Sequence, residues 1–236
     1  MSDKTPPFFS YFGSKNTISS KYPPPKHDVI IEPLAGAAGY STLHWEKNII
    51  LIDKYFRIAR LWKYLISATE KDILNLPLVE RDQNIRDIEY LSDEERDLIG
   101  FWINRGTEKP KNYLSPRAIE TNNKGQCGSW SELTRKRLAK NIYKTDHWKV
   151  YLGDYSIADP PFKATWLIDP PYKKMGYCYV CPLLDSDYKK LAEWCKTREG
   201  QVIVCENESA DWLPFTYLCN TEGSRCRTKE LVWINE

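Results

Sequence analysis

The sequence predicts an open α/β fold, a mostly parallel seven-stranded sheet interrupted by a mainly helical insertion. Three observations predict it. Segments 29–32, 48–53, 148–152, 165–169, 201–206, 216–218 and 230–234 read as strands, several of them continuous apolar runs of the kind covered on both faces. Helical periodicity separates some of these segments. Between 75 and 145 no convincing strand occurs, so the alternation stops there and later resumes.

The elements follow in order. Strand 29–32 ends in Glu32 and enters a small-residue turn, Gly36-Ala37-Ala38-Gly39, then a short helical pattern. Such a turn lets a backbone approach a ligand closely, and a tight ligand-free turn would also explain it. Strand 48–53 ends in Asp53. An acid at a second strand tip, about twenty residues after such a turn, commonly accepts ribose hydroxyls, and it can also cap the next helix. That helix, 55–67, carries Ile58, Leu61, Trp62, Leu65 and Ile66 on one face.

The insertion holds two capping-box patterns. Ser92 and Glu95 precede Leu98, Ile99, Trp102 and Ile103, with Gly106 as a stop. Ser129 and Glu132 precede Leu133, Leu138 and Ile142. The stretch from 108 to 129 reads as a polar loop. Asp154 then follows strand 148–152 through Gly153, and Asp169-Pro170-Pro171-Tyr172 closes strand 165–169. Two prolines end a central strand and set a stiff corner, with an acid before it and an aromatic ring after it. A last helix, 186–196, has Leu191, Trp194 and Cys195 on one face and Ser186 as N-cap.

Charge is unevenly spread although its formal net value is only +2. Residues 70–99 hold ten acids and four bases, whereas residues 101–150 hold eleven bases and four acids. The second excess suits a polyanion or a solvated helix face. Arg105, Arg135, Lys136 and Lys140 are the candidates for phosphate contact. Asn122, Asn123, Lys124 and Gln126, in the polar stretch, are candidates for reading base edges. Arg135, Lys136 and Arg137 are consecutive and cannot all face one way on a helix.

The function classes narrow further. No apolar run is long enough for a membrane span, and residues 1–15 lack a secretion signal, so an intracellular setting is expected. The seven cysteines are irregularly spaced and are expected to be free thiols. Cys178 and Cys181 could form half of a zinc site, but no second pair has suitable spacing, and no metal is expected.

Taken in order, Glu32-Pro-Leu-Ala-Gly36, Asp53, Gly153-Asp154 and Asp169-Pro-Pro-Tyr172 resemble the motifs of Dam-like, alpha-class DNA adenine-N6 methyltransferases. Tyr11-Phe-Gly-Ser-Lys15 resembles that family's N-terminal cofactor motif, Val204-Cys-Glu-Asn-Glu208 its target-pocket motif, and Asn220-Thr-Glu-Gly-Ser-Arg225 with Glu230-Leu its C-terminal motif. The chain departs from the family at Ser14, Leu34 and Ala38, where glycine, phenylalanine and glycine are usual.

The resemblance implies a Rossmann-like methyltransferase sheet. Residues 1–74 and 146–236 would bind S-adenosylmethionine, and 75–145 would be an inserted target-recognition domain. Tyr11, Lys15, Glu32, Gly36, Asp53, Asp154 and Asp169 would hold the cofactor. Asp169 and the Pro170 carbonyl would accept hydrogen bonds from the adenine amino group, and Tyr172 would stack on the flipped base. DNA is the implied partner and RNA a possible one, with no obligate protein partner. Methylation of RNA adenine or of cytosine N4, and a non-catalytic binding role, stay open as alternatives.

Overall fold

The computed structural model describes residues 5–124, 128–174, 176–222 and 227–236. Its elements are β1 (Val29–Glu32), α1 (Gly39–Leu43), β2 (Asn48–Asp53), α2 (Phe56–Ser67), α3 (Glu70–Asn75), α4 (Asp93–Ile103), α5 (Pro116–Asn123), α6 (Glu132–Asn141), β3 (Lys149–Leu152), β4 (Ala164–Ile168), α7 (Asp185–Lys196), β5 (Gly200–Asn207), β6 (Thr216–Glu222) and β7 (Arg227–Asn235). The strands form one sheet in the order β3-β2-β1-β4-β5-β7-β6. Pairings through β5 are parallel, and β7 lies antiparallel between β5 and β6. This is the open, mostly parallel seven-stranded α/β sheet expected from the sequence.

Successive strand residues point to opposite faces, and each face buries its own cluster. Ile30, Ile49, Leu51, Leu167, Ile203 and Cys205 face one way, beneath α2, α4, α6 and the N-terminal Phe8 and Phe9. Ile31, Ile52, Trp166, Ile168, Val202 and Val204 face the other way, against Leu191, Ala192 and Cys195 of α7. The continuous apolar runs follow from this two-sided burial. On α2, Ile58, Leu61 and Leu65 are fully buried, each worth ~1.5–3 kcal/mol relative to exposure.

Residues 75–145 join that first cluster. Leu98, Ile99, Phe101, Trp102 and Ile103 of α4, with Trp130, Leu138 and Ile142, pack in it beside Phe8, Phe9 and Trp62. The Trp102 indole N–H donates to the Phe8 carbonyl at 3.0 Å, and that of Trp130 to the Pro77 carbonyl at 2.7 Å. The insertion is therefore built onto the N-terminal segment.

Local chemistry sets the boundaries. The Ser92–Glu95 capping box forms with both of its hydrogen bonds. The polar stretch is not all loop, because Ser115 accepts from the Ala118 N–H and Pro116 stands at the first helical position, which starts α5. Ser131, not Ser129, caps α6, since the Ser129 hydroxyl turns inward to the Ala118 carbonyl and Asn122. Ser186 is not the cap of α7. It lies inside the first turn, and the Asp187 carboxylate accepts from the Leu184 N–H. Helix α3, with its Thr69–Asp72 capping box, is too short for apolar periodicity to disclose. Strands β6 and β7 outrun their expected lengths because polar residues such as Asn220, Thr221, Thr228 and Lys229 continue the ladder.

Candidate functional site

Strand order reverses beside β1, whose two neighbours are β2 and β4. Open α/β sheets bind ligands outside the carboxyl ends of their strands at such a switch point. A cavity lies there, and its lining includes Tyr11, Lys15, Glu32, Gly36, Asp53, Asp154 and Asp169. The seven residues that the sequence singles out for cofactor contact thus come together from five parts of the chain.

The turn after β1 forms the floor. Glu32 is buried, and its carboxylate accepts from the Ser41 N–H at 2.7 Å. Burial pushes its pKa up to about 7 against that hydrogen bond. Gly36 has φ +47° and donates its N–H to Asp53 at 2.9 Å, and its carbonyl accepts from the Trp62 indole at 2.8 Å. A Cβ there would lie 3.2 Å from the Tyr11 ring, so glycine answers both the left-handed backbone and the close approach. Ala38, at φ 46°, also holds a left-handed conformation.

Asp53 ends β2 and accepts from the N–H groups of Gly36 and Tyr55. Burial pushes its carboxyl up to about 6. The carboxylate therefore both braces the turn and faces the cavity. Asp154 likewise has two parts to play: it caps the short turn at 155–157 by accepting from the Ser156 N–H, and it lines the cavity beside Lys54.

At the end of β4 the Lys15 ammonium donates to both Asp169 oxygens, at 2.6 and 2.7 Å, and to the Gly13 carbonyl at 3.1 Å. Burial pushes the Asp169 carboxyl up to about 6 while Lys15 pulls it down. Burial also opposes the Lys15 charge, but Asp169 and then Glu230 outweigh it and hold that pKa above its ordinary value. The same ammonium stands 4.6 Å from the centre of the Tyr172 ring. Tyr188 donates its hydroxyl to the Pro171 carbonyl at 2.6 Å, next to the Pro170 carbonyl. Pro171 lines the cavity, whereas Tyr172 lies behind it, its hydroxyl 2.5 Å from Glu230.

A strap after this corner completes the wall with Tyr179, Cys181, Pro182 and Leu183. Tyr179 meets Tyr11 and Phe12 edge-on, with ring centres 6.3 and 5.3 Å away. Gly13, at φ +74°, makes room for it, since a Cβ there would fall 2.0 Å from the Tyr179 hydroxyl oxygen. Sequence reading missed the strap as a cavity wall, because it has no periodic signal and its Cys178–Cys181 spacing pointed only to half of a metal site. It also missed Glu230 as a buried partner. The signal was present there, because period-two alternation puts this acid on the same face as Val232.

The nucleic-acid candidates separate. Asn122 lies in α5, not in a loop, and its side-chain amide donates to the Trp130 carbonyl. Asn123 is the last residue of α5. Gln126 lies outside the described residues. The Arg135 guanidinium donates to the Leu76 carbonyl, so structure engages it. Lys124 pairs with Glu120 and Lys136 with Glu132, both at 2.6 Å. Arg105 and Lys140 are exposed, and Arg105 borders a second cleft that shares Tyr11 and Ser14 with the first cavity. Among the described residues no group of three His, Cys, Asp or Glu is placed to hold a metal ion. Cys178, Cys181, Cys195, Cys205 and Cys219 are free thiols.

No protein-family model matches the chain, and no curated protein sequence matches it. Among solved structures, it is similar to the rRNA methyltransferase aviRa from Streptomyces viridochromogenes, at 10% identity and a TM-score of 0.43. The match covers 92% of this chain and 80% of that one.

Proposed function

We propose that this chain is an adenine-specific methyltransferase, which transfers a methyl group from S-adenosylmethionine to the N6 amino group of adenine in DNA. One observation carries this reading: the residues that resemble the family's cofactor motifs line a single cavity at the sheet's switch point, and Asp169 of the Asp-Pro-Pro-Tyr corner is among them. The cavity suits the cofactor. Gly36 removes the side chain that would close the turn against Tyr11, and carboxylates stand at the ends of β1, β2 and β4 with Asp154 after β3. Asp53 would accept from the ribose hydroxyls, and Asp154 from the cofactor's adenine amino group.

When bound, the cofactor supplies a methyl group on a sulfonium. The protein must make the adenine amino nitrogen nucleophilic, because its lone pair is delocalised into the ring. Asp169 and the Pro170 carbonyl accept from the two amino N–H groups and draw the nitrogen toward tetrahedral geometry. Pro170 and Pro171 fix the backbone between these acceptors and Tyr172, which stacks on the flipped base. Alignment of this kind can lower a barrier by up to ~7–11 kcal/mol. Flipping a base costs a few kcal/mol, which stacking in the pocket offsets. Lys15 occupies the place beside Asp169 and above the Tyr172 ring that this scheme gives to the base. Target entry therefore requires the ammonium to move aside.

Residues 75–145 serve as the target-recognition region in this reading, with Arg105 and Lys140 as the exposed bases. A nucleic-acid substrate implies an intracellular setting. Among the described residues no helix is long and apolar enough to cross a membrane. Methylation of RNA adenine or cytosine N4 would use the same corner. Labelled S-adenosylmethionine incubated with duplex DNA and with structured RNA, followed by nucleoside mass spectrometry, separates these outcomes. N6-methyladenine in DNA is expected. Label on cytosine or in RNA alone would replace the substrate assignment, and cofactor binding without transfer would leave a binding protein.

A further inference from the structure

We infer that Glu230 is a positioning residue that fixes the orientation of the Tyr172 ring. The inference rests on the methyltransferase reading for its consequence, but the tether itself is independent of it. Glu230 lies in β7, paired with Asn207 of β5 on one side and Cys219 of β6 on the other, so its backbone is held from both flanks. Its side chain is buried. One oxygen, Oε1, accepts from the Tyr172 hydroxyl at 2.5 Å and from the Tyr22 hydroxyl at 2.6 Å. The three residues come from β7, the corner after β4 and the N-terminal segment.

The two prolines set the backbone of the corner but leave the side-chain torsions of Tyr172 free. Glu230 supplies what the prolines cannot, a fixed point at the far end of the ring. Tyr22 shares that acceptor oxygen, while the ladder on both flanks already places the Glu230 side chain. Tyr22 is itself buried and meets Tyr40 edge-on at 6.3 Å, and Tyr40 donates to the carbonyl of Pro23. Burial pushes both phenols well above their ordinary pKa, so each stays a donor. The ring is then pinned between the corner backbone and the sheet, with Lys15 on its face. A buried acid that only completes the core would tie Tyr22 and Tyr172 with equal consequence. A positioning residue would not.

The full-length protein carrying 3-fluorotyrosine at position 172 gives a direct readout by fluorine NMR. A single narrow resonance is expected in the parent, and a shifted or broadened one in Glu230→Leu. Transfer assays should show kcat lowered at least 10-fold in Glu230→Leu and in Tyr172→Phe, with cofactor Kd within two-fold of the parent. Tyr22→Phe should leave kcat within two-fold. If Glu230→Leu fails to fold, Glu230→Gln and Tyr172→Phe carry the test from the two ends of the bond, Glu230→Gln retaining an acceptor and most of the rate. An unchanged resonance in folded Glu230→Leu overturns the tether. Equal loss in Tyr22→Phe and Tyr172→Phe overturns the positioning role. A parent protein that binds cofactor but methylates no nucleic acid defeats the function proposed above, while the resonance still decides the tether.

Discussion

Lys15 and Asp169, 154 positions apart, meet in a part-buried ion pair with Nζ 2.6 and 2.7 Å from the two carboxylate oxygens. The pair joins the N-terminal segment to the end of β4. Removing one member of a buried pair leaves the other charge uncompensated, at a cost of up to ~3–5 kcal/mol, nearer the lower figure here because the Asp169 side chain keeps 19% of its surface exposed. Lys15→Met should therefore destabilise the fold by that order. Lys15→Met/Asp169→Asn should recover much of the loss, which denaturant unfolding of the two single variants and the double variant would measure. An additive double variant would mean that the two charges do not depend on each other.

Glu32 gives the chain a readable pH dependence. Its folded pKa of about 7 stands above the ordinary 4.5, because burial disfavours the charge. The folded state thus holds a proton that the unfolded state has already released. This stability is fully present below the unfolded value and is lost as pH rises through the folded one. The loss amounts to ~3 kcal/mol at one pKa unit per 1.36 kcal/mol. Asp53, raised to about 6, adds a loss of the same sign at lower pH. Glu32→Gln should flatten the curve between about pH 5 and pH 8. Unfolding midpoints across that range check it, and parallel curves for the two proteins would place the titration elsewhere.

Asp53 offers a test of the cofactor reading. Its oxygens accept from the Gly36 and Tyr55 N–H groups and face the cavity. Hydrogen bonds to a charged group contribute about 1.5–3 kcal/mol each, so Asp53→Ala should weaken S-adenosylmethionine binding by ~10–100-fold. Asp53→Asn should be milder. Calorimetry with the cofactor alone is sufficient. Unchanged affinity in Asp53→Ala would remove the ribose role.

Ala38 marks a departure from the resembling motif that the backbone makes legible. It is the N-cap of α1 at φ 46° and ψ 50°, where a side chain meets steric cost. The left-handed conformation costs ~1–2 kcal/mol for a residue with a Cβ. Ala38→Gly should stabilise the protein by about 1 kcal/mol after the greater freedom of the unfolded glycine is set against it. That corresponds to a rise in Tm of ~2–4 °C for a chain of this size. A fall in Tm would show that the alanine methyl makes compensating contacts.

The sequence made the sheet legible where burial controls it. Strands β1 and β2 matched their apolar runs to the residue, because both faces of each are covered. The hairpin β6–β7 was read short because hydrogen bonding continues beyond the apolar residues. The cavity was legible because acids at strand tips follow from chain order alone. The strap and the Tyr22–Glu230–Tyr172 cluster were not, because they depend on side chains meeting across more than 50 residues. The insertion was misjudged in detail for a related reason. Hydroxyl and amide groups at Ser129 and Asn122 look free in sequence but are consumed inside the fold.

That consumption changes which bases can hold nucleic acid. Of the cluster 135–137, Arg135 is bound to the Leu76 carbonyl and Lys136 is paired with Glu132. Arg137 lies over the Trp102 ring at 5.5 Å. Lys124 is paired with Glu120. Under the proposed nucleic-acid reading, exposed Arg105 and Lys140 are the expected phosphate partners, and Arg105 stands at the cleft that adjoins the cavity through Tyr11 and Ser14. Each phosphate contact removed should reduce the slope of log affinity against log salt by ~0.9 on duplex DNA, or ~0.7 on single strands. Arg105→Ala and Lys140→Ala should each show that reduction. Lys124→Ala and Lys136→Ala should change the slope less, because a neighbouring carboxylate already offsets each charge. Cofactor affinity should be unchanged in all four. Titration at several salt concentrations reads the slopes directly. Slopes unchanged by Arg105→Ala and Lys140→Ala together would place the nucleic acid on another face of the molecule.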